Sequence, residues 1–228
     1  MGDGTVISVN LENRKPIILG LVGLIGSGKD TIADYLQNIH QFRRESFAHT
    51  LKDAVAAVFG WNRELLEGRT RESREWREQR DEWWSERLGR NITPRWVLQY
   101  WGTEVCRKGF DDNIWIASLE NKLRTTTDDI VISDCRFPNE IASIRSAGGI
   151  VIRVVRGPEP IWYQEAVDTN AGISDAMNFR SDVHPSEWGW IGTNFDAVVD
   201  NNADGLDNLY SQVKHLIQDL QSSKANQP

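Results

Sequence analysis

Apolar residues along this chain come in two rhythms. Short unbroken runs, such as Ile17-Ile18-Leu19-Gly20-Leu21-Val22 and Ile130-Val131-Ile132, have the length and β-branching of strands buried on both faces. Longer stretches place apolar residues every three or four positions, the period of a helix packed on one side. The pattern predicts strands over Ile17–Val22, near Glu45–Ala48, over Asp129–Asp134, Ile150–Val155 and Phe195–Val199. Between them it predicts helices over Asp30–Ile39, Thr50–Phe59, Arg95–Arg107, Asp112–Leu123, Asn139–Ala147 and Leu206–Leu220. Leu51, Ala54, Val55 and Val58 form the expected buried stripe of the second helix. Alternation of this kind implies an α/β fold, a parallel sheet wrapped by helices.

Two stretches break the rhythm. In 61–95, Arg and Glu alternate densely around Trp61, Trp76, Trp83 and Trp84. The charge reads as solvated helix laced with ion pairs, while four tryptophans need a surface to rest on. An inserted helical subdomain over about 61–125 meets both demands. Residues 157–193 hold few periodic apolar positions and read as a lid or long loop, long enough to suggest a role in function. The expected organisation is one domain over 16–220 carrying both features, with flexible termini at 1–15 and 221–228.

The chain has 228 residues, 39% hydrophobic and 26% charged, with a formal charge of −7, as expected of an ordinary globular protein. The negative balance argues against stable nucleic-acid binding, which needs a net basic face. Cys106 and Cys135 show no metal-ligand spacing, no signal-peptide or myristoylation pattern opens the chain, and no run is long enough to span a membrane. The expected location is the cytoplasm, that of the host if a phage encodes the chain.

The first predicted strand runs into Gly23-Leu24-Ile25-Gly26-Ser27-Gly28-Lys29-Asp30-Thr31, a G-x-x-x-x-G-K pattern between a strand and a helix. Glycines let backbone N–H groups curl around phosphates at a helix N-terminus, and Lys29 reaches the outer phosphates. This predicts a nucleoside triphosphate as ligand with Mg²⁺ as its companion. Asp30 stands where a hydroxyl usually faces the metal and Thr31 follows, so Asp30 and Thr31 are the candidate metal ligands. In open α/β sheets ligands gather beyond the carboxyl ends of strands. Asp134, Arg136 and Glu140 follow one strand, Arg156 another, Asn201 and Asn202 the last. Asp134 also suits a helix cap, and Arg136 a surface ion pair. His184-Pro185-Ser186 is no hydrolase signature, since no nucleophile elbow accompanies it.

Together these segments resemble the bacteriophage deoxynucleoside monophosphate kinase family, within the P-loop nucleoside monophosphate kinases. The resemblance is carried by Ser27 to Thr31 with Ala33-Asp34, Leu51-Lys52-Asp53-Ala54, Leu98-Gln99 with Gly102-Thr103, and Ile114-Trp115. Asp134-x-Arg136 with Glu140, Gly149 to Arg156 and His184-x-Ser186-Glu187 extend it over about 17–218. It implies a P-loop kinase fold and transfer of the ATP γ-phosphoryl group to a deoxynucleoside monophosphate. Gly23, Gly26, Ser27, Gly28, Lys29, Asp30, Thr31, Asn201 and Asn202 would hold ATP. Lys52, Arg95, Gln99, Gly102, Thr103, Trp115, Asp134, Arg136 and Glu140 would line the acceptor pocket, with Arg71 or Arg74 reaching the acceptor phosphate. Lys29, Asp134, Arg136 and Arg156 would carry catalysis, and Trp115 or Trp101 would wall off a 2′-hydroxyl.

Partners would then be small nucleotides, with no membrane, and a homodimer is left open. Two rivals remain at this level. One is a P-loop kinase of a hydroxyl acceptor, dephospho-coenzyme A or a modified base in phage DNA, with Asp134 as base. The other is a noncatalytic nucleotide-binding module.

Overall fold

The computed structural model describes residues 15–225. Of the expected flexible ends, 1–15 and 221–228, residues 1–14 and 226–228 lie outside the described residues, and 221–225 are helical. Five parallel strands, β1 (Ile18–Val22), β2 (Arg43–Glu45), β3 (Ile130–Ile132), β4 (Ile150–Val155) and β5 (Ala197–Asp200), form one sheet in the order β2-β3-β1-β4-β5. β1 lies at its centre, with Ile18 opposite Ile130 on one side and Leu19 opposite Ile150 on the other.

The period-two geometry of a strand sends alternate residues to opposite faces. Leu19, Leu21, Val131, Ile152 and Val154 point into a core shared with α1 (Lys29–His40) and α10 (Asp207–Ala225). There Tyr35 of α1 stacks on Tyr210 of α10 at 4.2 Å. Ile18, Val22, Ile130, Ile132 and Val151 point the other way, into a core shared with α6 (Ile114–Leu123) and α7 (Pro138–Ser146).

The same second core holds much of what the sequence suggested was loop. Residues 157–193 contain α8 (Tyr163–Asn170), a 3-10 turn (Ala176–Phe179) and α9 (Pro185–Trp188), anchored by buried Ala166, Met177, Trp188, Trp190 and Ile191. Ala166 and Met177 stand alone and Trp188, Trp190 and Ile191 cluster at one end, so no helical period reveals them.

The Trp-rich insertion builds a third core of its own. α2 (His49–Phe59), a 3-10 turn (Leu65–Glu67), α3 (Arg71–Glu78), α4 (Glu82–Leu88) and α5 (Pro94–Gln99) gather around Leu51, Val55, Trp61, Leu66, Ile92, Val97 and Trp115. Thr70, Asp81 and Thr93 cap α3, α4 and α5 by accepting from backbone N–H groups. The buried stripe of α2 is narrower than expected: Leu51 and Val55 are buried, whereas Ala54 and Val58 face solvent. The expected helix Arg95–Arg107 changes pitch, since Tyr100–Arg107 is a π-helix. Such wide turns often sit at functional sites.

Candidate phosphate-transfer site

β1 ends at Val22, and the chain turns through 23–28 into α1 at Lys29. Gly28 has φ 107°, which disfavours any residue with a Cβ. A Cβ there would lie 2.4 Å from Nδ2 of Asn201, which donates to the Ser27 carbonyl at 2.8 Å. Asn201, just beyond β5, thus clamps the loop from behind. The buried Ser27 hydroxyl has no hydrogen-bond partner among the described residues, an orphaned polar atom inside a cradle shaped for an anion. Nζ of Lys29 donates to the carbonyls of Gly23 at 2.7 Å and Leu24 at 2.8 Å. Burial and the nearby Arg136 charge bring its pKa down to about 8, so it is still mostly protonated near neutrality.

A cleft of about 440 Å³ continues from the loop, lined by Thr31, Arg156, Gly157, Asn201, Asn202 and 203–206. Four of the expected site residues therefore meet in one place. A larger cavity, about 790 Å³, lies at the opposite, amino ends of the strands beside Ile18, Thr126 and Gly148, and holds none of the expected site residues.

The donor set fits a nucleotide-bound Mg²⁺, which takes one or two protein oxygens and fills its other positions with phosphate and water. Thr31, on the wall of the cleft, offers one such oxygen. No group of three acidic, His or Cys residues that could cage a metal occurs among the described residues. Asp30, the other expected metal ligand, makes an ion pair. Its side chain is 79% exposed and ion-paired with Arg44 of β2, whose guanidinium is 8% exposed and also holds Asp34 at 2.7 Å and the Ser133 hydroxyl at 2.8 Å. Asp30 is the counter-ion of a buried arginine, a partner 14 residues away in sequence that the motif could not reveal.

Beyond β3, three predicted residues converge. Asp134 accepts from the Phe47 N–H at 3.2 Å, and burial raises its pKa against the lowering pull of Lys52 and Arg136. Glu140 accepts from the Arg136 and Phe137 N–H groups at 2.7 and 3.2 Å, capping α7; burial and the Asp134 charge raise it to about 7. Arg136 is half-buried, its guanidinium 2.9 Å from Glu187 and 3.3 Å from the Ser186 hydroxyl. Sequence reasoning assigned Glu187 no role. It also passed over Arg107, which the π-helix brings to 3.7 Å from Glu140 and over the Phe137 ring.

The remaining acceptor-side candidates separate. Lys52 pairs with Glu67 at 2.7 Å. Burial would raise Glu67, but Lys52 and Arg63 together bring it down to about 2. Arg95 pairs with Glu78 at 2.7 Å, Gln99 and Thr103 are exposed, and Arg74 is exposed. Arg71 is 90% exposed and, among the described residues, pairs with Glu75, one helical turn on, at 2.6 Å. Trp115 has little surface to offer a ligand. It is 8% exposed within the third core, and its indole N–H donates to the carbonyl of buried Gly102 at 3.0 Å.

Arg77 was not among the candidates. Its guanidinium lies against Gly68, where a Cβ would come within 2.1 Å of it, and its buried Nε has no hydrogen-bond partner among the described residues. Burial and the neighbouring Arg95 push its pKa down, as expected of a cation short of counter-charge.

Residues 83–213 match the family described as deoxynucleotide monophosphate kinase, a span holding the Asp134, Arg136 and Glu140 cluster and the Glu187 helix. A curated relative from Acanthamoeba polyphaga mimivirus, whose name as a deoxynucleotide monophosphate kinase is an inferred one, is 31% identical over 212 residues. The match covers 86% of this chain and 94% of the relative. The chain belongs to the deoxynucleotide monophosphate kinase family. The deoxynucleoside-5′-monophosphate kinase of Escherichia phage T5 is 26% identical over 252 residues, covering 86% of this family member and 94% of the phage protein. Among solved structures, TT1252 from Thermus thermophilus is 19% identical with a TM-score of 0.45, covering 91% of this chain and 99% of its own. The Mycobacterium tuberculosis APS kinase is 10% identical, also with a TM-score of 0.45, covering 92% and 99%. The sheet order and the glycine loop carry the fold assignment themselves. No described helix is long and apolar enough to cross a membrane.

Proposed function

We propose that this kinase-family chain moves the γ-phosphoryl group of ATP onto the 5′-phosphate of a deoxynucleoside monophosphate, releasing ADP and the diphosphate. The observation carrying this reading is the placement of Lys29, at the head of α1 beyond β1, and Arg136, beyond the paired strand β3: two cations at the carboxyl ends of neighbouring strands. Transfer between two polyanions needs such cations more than it needs a base. A phosphate monoester has its second pKa near about 6, so the acceptor is already anionic at neutral pH. Asp134 is then not needed to abstract a proton, and its carboxylate would be available to Mg²⁺. Mg²⁺, when bound, neutralises charge on the phosphate oxygens.

The glycine loop and Lys29 would cradle the ATP phosphates, and the cleft bordered by Arg156, Asn201 and Asn202 would take the adenosine end. Arg77 is the better candidate for the acceptor phosphate than Arg71 or Arg74, because it is held in place by packing and lacks a bonded partner for its Nε. A pre-positioned arginine loses little freedom on binding, whereas exposed Arg71 must first be ordered.

An ADP-release assay across deoxynucleoside monophosphates, ribonucleoside monophosphates, dephospho-coenzyme A and DNA tests the proposal. ADP release dependent on a deoxynucleoside monophosphate is expected. Turnover only with a hydroxyl acceptor, or with none, would overturn it.

A further inference from the structure

Glu187 faces the phosphate-transfer site, yet no step of phosphoryl transfer needs a carboxylate there. It stands on α9, and that helix is not free to swing. Trp188, Trp190 and Ile191 follow it into the second core, and the Trp190 indole N–H donates to the Glu187 carbonyl at 2.9 Å. Gly189 lies directly on the Arg136 backbone: a Cβ there would meet the Arg136 carbonyl at 3.0 Å. Asn170, at the end of α8, adds a further anchor, since its side-chain amide donates to the Trp188 and Ile191 carbonyls at 2.9 and 2.8 Å.

From this fixed base the carboxylate, 20% exposed, takes Nη1 of Arg136 at 2.9 Å, and its charge also acts on Lys29. The Arg136 backbone is meanwhile tied to Glu140 at 2.7 Å. Arg136 is therefore gripped twice, by its main chain and by its guanidinium. A guanidinium beside a lysine ammonium would otherwise be pushed towards solvent by like-charge repulsion.

We propose that Glu187 is a placeholder anion: its carboxylate occupies, on Arg136, the place that a phosphoryl group takes, holding the guanidinium in its binding orientation until the phosphate displaces it. Glu187 is thus a positioning residue acting through Arg136. The arrangement has two opposed effects on anion affinity. The negative charge competes with the incoming phosphate and weakens binding, while the hydrogen bond keeps Arg136 ordered and strengthens it.

Different substitutions separate the two effects. Glu187→Gln keeps an oxygen that accepts from Arg136 and removes the charge. Glu187→Ala removes both, and Glu187→Asp keeps the charge on a shorter arm. Inorganic pyrophosphate is the probe, titrated by calorimetry into each variant, with thermal melting to verify that α9 remains packed. Glu187→Gln should bind pyrophosphate about fivefold more tightly than the native chain, the worth of a partly exposed ion pair. Glu187→Ala should bind more weakly than Glu187→Gln, and Glu187→Asp should show no gain. In turnover, KM for the acceptor should fall in Glu187→Gln and rise in Glu187→Ala.

Unchanged or weaker pyrophosphate binding in Glu187→Gln would overturn the competition, and equal affinities in the Gln and Ala variants would overturn the positioning role. The inference rests on the proposed phosphotransfer reading, and calorimetry keeps the two apart. A native chain inactive on every monophosphate, with the Gln and Ala difference intact, would refute that reading and leave the placeholder standing.

Discussion

Lys29, Arg77 and Trp115 illustrate three kinds of candidate residue. Lys29 holds two loop carbonyls and can transfer that grip to phosphate oxygens. Lys29→Ala should leave a folded chain whose kcat falls by about 10²–10³ or more, the usual cost of losing one charge-stabilising group; steady-state kinetics beside circular dichroism check it. Arg77 and Arg71 lie on the same helix but differ in surroundings. Arg77→Ala should raise the acceptor KM about tenfold or more, while Arg71→Ala should stay within about twofold, because an exposed i,i+4 pair contributes little. Trp115 belongs to packing. Trp115→Ala should cost about 3–5 kcal/mol of stability, the range for emptying a large aromatic site. Urea denaturation measures that loss, which dominates any change in ribose-against-deoxyribose preference.

At the scale of elements, the amino end of α7 is where burial and charge conflict. Glu140 caps the helix by accepting two N–H bonds, yet burial beside Asp134 raises its pKa to about 7. The folded state therefore keeps this proton to a higher pH than the unfolded chain does. Stability should fall as pH rises from about 4.5 to about 7, by up to roughly 3 kcal/mol from this group. Glu140→Gln preserves an accepting oxygen and removes the titration. Its melting temperature, compared with that of the native chain, should therefore gain between pH 5 and pH 8. A difference that does not change with pH would contradict the burial of an ionisable Glu140. The π-helix next to this site serves the same cluster, since its wide turn is what brings Arg107 towards Glu140.

For the whole molecule, the loop at β1, the clamp at β5 and the insertion after α2 belong to different parts of the chain, and under the proposed reading a bound nucleotide would touch more than one of them. A ligand that binds only the folded state stabilises it by about 2.7 kcal/mol at a hundredfold excess over Kd. For a chain of this size that corresponds to a melting-temperature increase of roughly 5–10 °C. A non-hydrolysable ATP analogue should produce such an increase in the native chain, and Lys29→Ala should abolish most of it. Differential scanning fluorimetry reads both.

Local chemistry made the nucleotide side readable in the sequence. A glycine loop between a strand and a helix is contiguous, and its residue types follow from the demand for backbone N–H groups around phosphate, so Gly23 to Thr31 could be found without coordinates. Unbroken apolar runs likewise identified β1, β3 and β4, because strands buried on both faces have no polar alternation to hide them. Asp134, Arg136 and Glu140 could be placed by rule, since ligands collect at strand ends. What tertiary structure decided was every pairing between distant segments: Asp30 with Arg44, Asn201 behind Gly28, Arg77 against Gly68, and Glu187 on Arg136. Exposure and counter-charge depend on which surfaces meet, and composition cannot rank Arg71 against Arg77 or tell a tryptophan that packs from one that binds. The helices of 157–193 were hidden for the same reason: their anchors are single residues, and only the core that receives them gives those residues a pattern.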